Sequence, residues 1–150
     1  MGHSFAITRP VNPLGALPVL TEEQLWKGLE YKLRNPTAFV AMLSASKTIV
    51  DNGDKMTREL TMGPNTFTEE SEGYAPTIMY MEMSTGLRIT NIVSYGAEDE
   101  LLLTYSFGNG LPGVPADKPK PSAKELNAII GKAMDKGIET FRELAKEGKL

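Results

Sequence analysis

The chain has 150 residues, a net charge of −3 with acids and bases interspersed, no cysteine and a single histidine, His3. Its length predicts one domain over residues 1–150, with enough buried surface to need neither disulfide nor structural metal. The missing side chains exclude thiolate catalysis, Ser-His-Asp and Cys-His chemistry, and every cysteine- or histidine-rich metal site.

Other classes are disfavoured by pattern. No basic stripe exists, which argues against nucleic acid as a partner. No apolar run approaches the ~20 residues of a membrane span. The opening MGHSFAITRPVNP has neither a basic start nor an apolar h-region, so a cytoplasmic location is expected rather than secretion.

In chain order, SFAITRPV reads as a short strand stopped by Pro10 and Pro13. TEEQLWKGLEYKL opens a helix at Thr21 with a Thr-x-x-Gln capping box, and Leu25, Trp26, Leu29 and Leu33 give it an apolar stripe. RNPTAFV is a further helical turn or a bend. From Met42 the period changes to two, and six strand-like runs follow: 42–50, 55–62, 66–73, 77–83, 87–95 and 100–107. DNGD, GPNT and STG separate them as turn signals. A Gly/Pro-rich loop covers 108–121. A Ser122-x-x-Glu125 capping box then opens a long helix. Its stripe is Leu126, Ile129, Ile130, Ala133, Met134, Gly137, Ile138, Phe141 and Leu144. The order predicts an α+β helix-grip fold. An antiparallel sheet of ~7 strands curves around the C-terminal helix, one or two short helices follow the first strand, and a cavity is left between helix and sheet.

Alternation along the strands separates an inner from an outer face. The inner set is rich in Met and Leu, including Met79, Met81, Met83 and Leu103. It carries four polar residues: Arg58, Glu69, Asn91 and Tyr105. Turn lengths suggest neighbours. If GPNT sets Met62 opposite Phe67, Arg58 and Glu69 are diagonal. STG would set Asn91 opposite Met79. A longer turn at 94–100 would set Asn91 opposite Leu103, with Tyr105 diagonal to it. On the outer face Ile78, Tyr80 and Ile92 form a patch or a dimer contact, so a monomer and a homodimer are both open.

These residues suggest a site. Glu69 and Arg58 are the catalytic candidates: a carboxylate in an apolar pocket acts as an acid or base, and Arg58 anchors or polarises. Asn91, Tyr105, Trp26, Met79, Met81, Leu103 and Met134 are the ligand-binding candidates, and methionine gives an adaptable lining for a bulky apolar molecule. Plainer roles stand beside these. Arg58 and Glu69 form a buried pair that only fixes register, Asn91 satisfies a backbone or tyrosine group, and the methionines simply fill a core.

The stretches AITRPVNP, LTEEQLWKGLEYKLRNP, MTRELTMG, TFTEE, LRITNIVSYG and LLLTYSF together resemble the acetylaranotin-biosynthesis-protein-like family. That family is a branch of the START-like (SRPBCC, Bet v 1-like) superfamily, much of it of unknown function. The resemblance spans nearly the whole chain and rests on structural motifs, none of them catalytic. It implies a helix-grip fold with a hydrophobic cavity and a link to secondary metabolism. One departure stands out: where such members commonly carry a Glu-Trp pair after the last strand's Phe, this chain has Gly108 and Asn109 after Phe107. The expected function is binding of a hydrophobic small molecule by a cofactor-independent cyclase, isomerase or dehydratase, with no cofactor and no metal. A non-catalytic carrier and a cochaperone-like interaction module are the alternatives.

Overall fold

Strand β1 (Phe5–Pro10) ends at a proline that has no N–H for a ladder, which suits an edge position. In the computed structural model, which describes residues 2–150, it is indeed an edge. The sheet has seven antiparallel strands in the order β1-β7-β6-β5-β4-β3-β2. The other strands are β2 (Ala45–Asp51), β3 (Lys55–Met62), β4 (Asn65–Tyr74), β5 (Ile78–Met83), β6 (Arg88–Tyr95) and β7 (Leu101–Gly108). The chain crosses from β1 to the far edge through α1 (Glu22–Arg34) and a 3₁₀ turn (Pro36–Ala38), then meanders back to β7. Helix α2 (Ala123–Lys146) returns over the inner face. This is the expected helix-grip arrangement.

Both capping boxes form. Thr21 Oγ1 accepts from the Gln24 N–H at 3.1 Å while Gln24 Oε1 accepts from the Thr21 N–H at 3.0 Å. Ser122 and Glu125 exchange the same pair of bonds at 3.1 and 3.3 Å. Each box satisfies N–H groups that a helix start leaves free. Helix α1 ends at Asn35 because Pro36 disfavours helical geometry in the residue before it.

Two turns differ from expectation and change the register. The β3–β4 connection is only Gly63-Pro64, with Gly63 at φ +56. A left-handed glycine followed by proline matches the strand twist without a longer loop. Met62 therefore pairs with Asn65, and Arg58 lies directly across from Glu69 rather than diagonal to it. The β6–β7 turn is closed by Gly96 donating to the Glu100 carbonyl at 2.9 Å, with Asp99 at φ +59. This makes Tyr95 face Leu101, so Asn91 faces Tyr105 directly and Val93 faces Leu103. The STG turn behaves as expected, and Met79 faces Asn91.

The contact face of α2 also differs. Ile129 is 67% exposed and Ala133 is exposed, while Gly131 and Arg142 are buried. The helix leans on β1, where the Arg9 side chain crosses Gly131, and a methyl there would collide with its guanidinium. Arg142 turns inward because the loop after β1 offers it carbonyls. It donates to Val11 O at 2.7 Å, Pro18 O at 3.0 Å and Asn12 Oδ1 at 3.2 Å. The core joins Ile7, Leu25, Leu29, Leu103, Met134, Ile138 and Phe141 from sheet and both helices. On the outer face Ile78 pairs with Ile92, and Tyr80 packs edge-on against Tyr74 at 5.9 Å. Among the described residues no helix is long and apolar enough to cross a membrane.

Candidate functional site

The inner face carries two polar groups, each set by strand pairing. The first lies near the β2 edge. Arg58 Nε donates to Glu69 Oε1 at 2.8 Å, and Nη2 meets the same oxygen. Arg58 Nη1 donates to the Leu33 carbonyl in the last turn of α1, where the helix leaves carbonyls unpaired. Glu69 is 2% exposed. Burial pushes its carboxyl above the usual range, and the Arg58 charge and hydrogen bonds, with Lys32 behind them, pull it back only in part. Both arginine donors use Oε1, leaving Oε2 without a partner. Among the described residues every fully buried side-chain N or O atom has a hydrogen bond. Oε2 thus keeps lone pairs to spare for a proton, which an acid–base role requires.

The second group lies further along the sheet, where β5, β6 and β7 place Met79, Asn91 and Tyr105 side by side. Asn91 is 5% exposed. No side-chain hydrogen bond among the described residues involves its amide, and no side-chain N or O atom sealed from water is left unpaired, so the amide keeps a small exposed edge. Tyr105 Oη accepts from Lys32 Nζ at 3.2 Å, and that ammonium lies 4.5 Å from the ring centroid. Glu69 and Asn91 are two strands and four residue steps apart, about 15 Å along the sheet. The structure thus places Arg58, Glu69, Asn91 and Tyr105 on one face as two pairs with α1 above both, and Ser71 and Arg9 share that face.

The remaining candidates divide by place. Trp26 and Met79 line a cleft of about 420 Å³ between α1 and the turns after β2 and β4. Leu33 and Gly73 share its wall, while Glu22, Lys27 and Asp54 are among the groups at its rim. The Trp26 ring closes against Gly73, where an added Cβ would sit 3.3 Å away. This cleft opens beside α1, whereas the sequence pointed to the space under the C-terminal helix. Met81 packs between Ser71 and Ile89 on the inner face. Leu103 is fully buried opposite Val93 and Arg9, one pair removed from Asn91. Met134 is buried on α2 in the same core. Lys32 was missed in the sequence. Its signal is spacing: it lies three residues after Leu29 and seven after Leu25, on the apolar stripe of α1. Among the described residues no three His, Cys, Asp or Glu side chains are grouped to hold a metal.

A family model described as acetylaranotin biosynthesis cluster protein L (AtaL) matches residues 5–148. The chain belongs to this family. The match takes in every strand and both helices of this AtaL-family member. No curated protein matches the sequence.

Solved structures share its fold at low identity. The di-domain ARO/CYC StfQ from the steffimycin biosynthetic pathway aligns with TM-score 0.60 and 10% identity, over 96% of this chain and 52% of that one. The ZhuI aromatase/cyclase from Streptomyces sp. R1128 aligns with TM-score 0.57 and 12% identity, over 96% and 94% of the two chains. TTHA0849 from Thermus thermophilus aligns with TM-score 0.60 and 11% identity, over 95% and 99%. The AtaL-family chain therefore has the START-like, Bet v 1-like fold. Likeness at this identity extends to architecture, and chemistry has to be argued from the chain's own residues.

Proposed function

We propose that this AtaL-family protein takes up a bulky, largely apolar, oxygen-bearing small molecule against the inner face of its sheet. There it works without metal or cofactor as a cyclase, isomerase or dehydratase of secondary metabolism. The observation that carries the reading is the Asn91 amide. Its two donors and acceptor have no protein partner on a Met- and Leu-rich face, so only water or a ligand can satisfy them. A ligand carbonyl or hydroxyl would satisfy them. The family's description names a biosynthetic cluster and two fold relatives are named aromatase/cyclases, which supports the same chemistry.

In this reading Glu69 Oε2 moves the proton and Arg58 anchors the carboxylate and polarises the ligand. Asn91 and Tyr105 orient it. Trp26 and Met79 form the wall it passes, and Met81, Leu103 and Met134 supply apolar surface. A positioned acid or base is worth about 10²–10⁴ in rate, and a dry, shaped site adds orientation. The double grip of Arg58 on Glu69 favours one other reading, a carrier with the same cavity in which that pair is only structural.

Native mass spectrometry of the protein isolated from its source, followed by denaturation and analysis of what is released, tests the reading. A stoichiometric apolar metabolite that Asn91→Leu fails to retain is the expected result. Failure to bind either source extract components or the neutral apolar dye Nile red would overturn it.

A further inference from the structure

The ion pairs leave Lys32 out. Every other cation near the inner face is matched: Arg58 by Glu69, Arg34 by Asp51, Arg9 by Asp135. Among the described residues Lys32 has no carboxylate within ion-pair distance. Its only hydrogen bond goes to Tyr105 Oη. An ammonium carries three donors, so two stay free. Glu69 is near enough to feel its charge, but neither oxygen of that carboxylate lies within ion-pair distance of it, and Oε1 is held by Arg58. Tyr105 is directly across from Asn91, whose amide has no side-chain hydrogen bond to another of the described residues. One positive charge, a phenol hydroxyl and an amide therefore converge, with no carboxylate in ion-pair contact with the ammonium, beside Met79, Met81 and Ile89.

We propose that Lys32, Tyr105 and Asn91 form a recognition site for an anionic oxygen group, a carboxylate or the enolate of a 1,3-dicarbonyl, at one end of an apolar ligand. The inference rests on the ligand-binding reading above and narrows it to acidic ligands. The ammonium supplies the charge, and the partly buried setting strengthens its attraction. Tyr105, accepting from Lys32, turns its own hydroxyl proton to the anion. Asn91 Nδ2 donates from the neighbouring strand.

The test uses two ligands of one shape, 2-naphthoate and neutral 2-naphthamide, each displacing Nile red from the full chain. The ratio of the two affinities is the readout, so a general loss of binding cancels. Wild type is expected to favour naphthoate by about tenfold or more, the effect of a charge-assisted hydrogen bond. Lys32→Met is expected to reduce the ratio to near one, and Lys32→Arg to keep most of it. Equal displacement by both ligands in wild type overturns the anion site while leaving the apolar cavity standing. A preference that survives Lys32→Met overturns the assignment to Lys32. If Nile red itself fails to bind wild type, the ligand-binding reading fails and the anion site falls with it.

Discussion

Asn91 and Glu69 show what single residues do here. Replacing Asn91 with leucine removes an unpaired amide from an apolar row. Stability should hold or rise, by up to about 1 kcal/mol, while ligand retention falls. Urea unfolding and the native-mass assay measure the two sides, and a marked loss of stability would mean that the amide is structural. Glu69 makes a prediction with a sign. Its folded pKa is raised above 4.5. Its contribution to stability is therefore full below pH 4.5 and is lost as pH rises through the folded value. Glu69→Gln mimics the protonated acid, so the stability difference should move in favour of the variant as pH rises from about 4 towards 8. Urea midpoints across that range decide it. A shift in the wild type's favour would show that Arg58 holds the carboxylate low. In a turnover assay the same variant should bind and not react if Glu69 moves the proton, and a carrier would be indifferent.

The inward direction of Arg58, Glu69, Asn91 and Tyr105 was legible because a strand's period of two fixes the face once the apolar side is known. Who faces whom was legible at the STG turn, which set Asn91 opposite Met79, and not at the other two. Gly63-Pro64 and the left-handed Asp99 set the pairings, and those depend on turn conformations that residue spacing does not encode. Lys32 and Arg142 escaped for a different reason. A long cation on a helix stripe reads as a solvated residue until the carbonyl or phenol that receives it is known.

At the scale of elements, the two helices meet where one has no side chain. Gly28 of α1 abuts the Phe141 ring of α2, and a Cβ on Gly28 would approach that ring to 2.7 Å. The ring is fully buried and bounded by Phe39 at 5.4 Å between centroids, so it has little room to move. Helix propensity alone would make Gly28→Ala stabilising by nearly ~1 kcal/mol. Overpacking opposes it with about 1–3 kcal/mol. The expected outcome is net destabilisation of about 1 kcal/mol or more by urea unfolding. A gain in stability would mean that the α1–α2 contact yields easily. Helices α1 and α2 were legible to within a residue at their starts, because capping boxes are local signatures. The contact face of α2 was not, since Ile129 and Ala133 fit the helical period while β1 and the loop after it draw Gly131 and Arg142 inward.

For the whole molecule, the question is how a ligand reaches a face covered by two helices. Helix α1 is the wall of the cleft, and its ends are tied to opposite parts of the sheet. At its start Tyr95 Oη donates to Glu22 Oε2 at 2.7 Å. At its end Arg34 grips Asp51 through Nε at 3.0 Å and Nη2 at 3.2 Å. Both ties are on the surface, while the middle of α1 is held by Leu25 and Leu29 in the core. Surface pairs contribute little to global stability, yet they limit how far the end of a helix can move. The Arg34 hydrogen bonds hold the Asp51 carboxyl below its ordinary range, so the tie is fully formed at neutral pH and is lost only as pH falls below 3.8 through the folded value. Arg34→Ala should therefore leave the urea midpoint nearly unchanged, since an exposed pair adds little net stability. It should also speed Nile red uptake severalfold in stopped flow. Because Leu33 of the same turn receives Arg58, loosening this end also frees the partner of Glu69, so the faster uptake should come with a faster release. An unchanged uptake rate would place the ligand's path elsewhere, along the open inner face beside β2, where every residue of the strand is exposed.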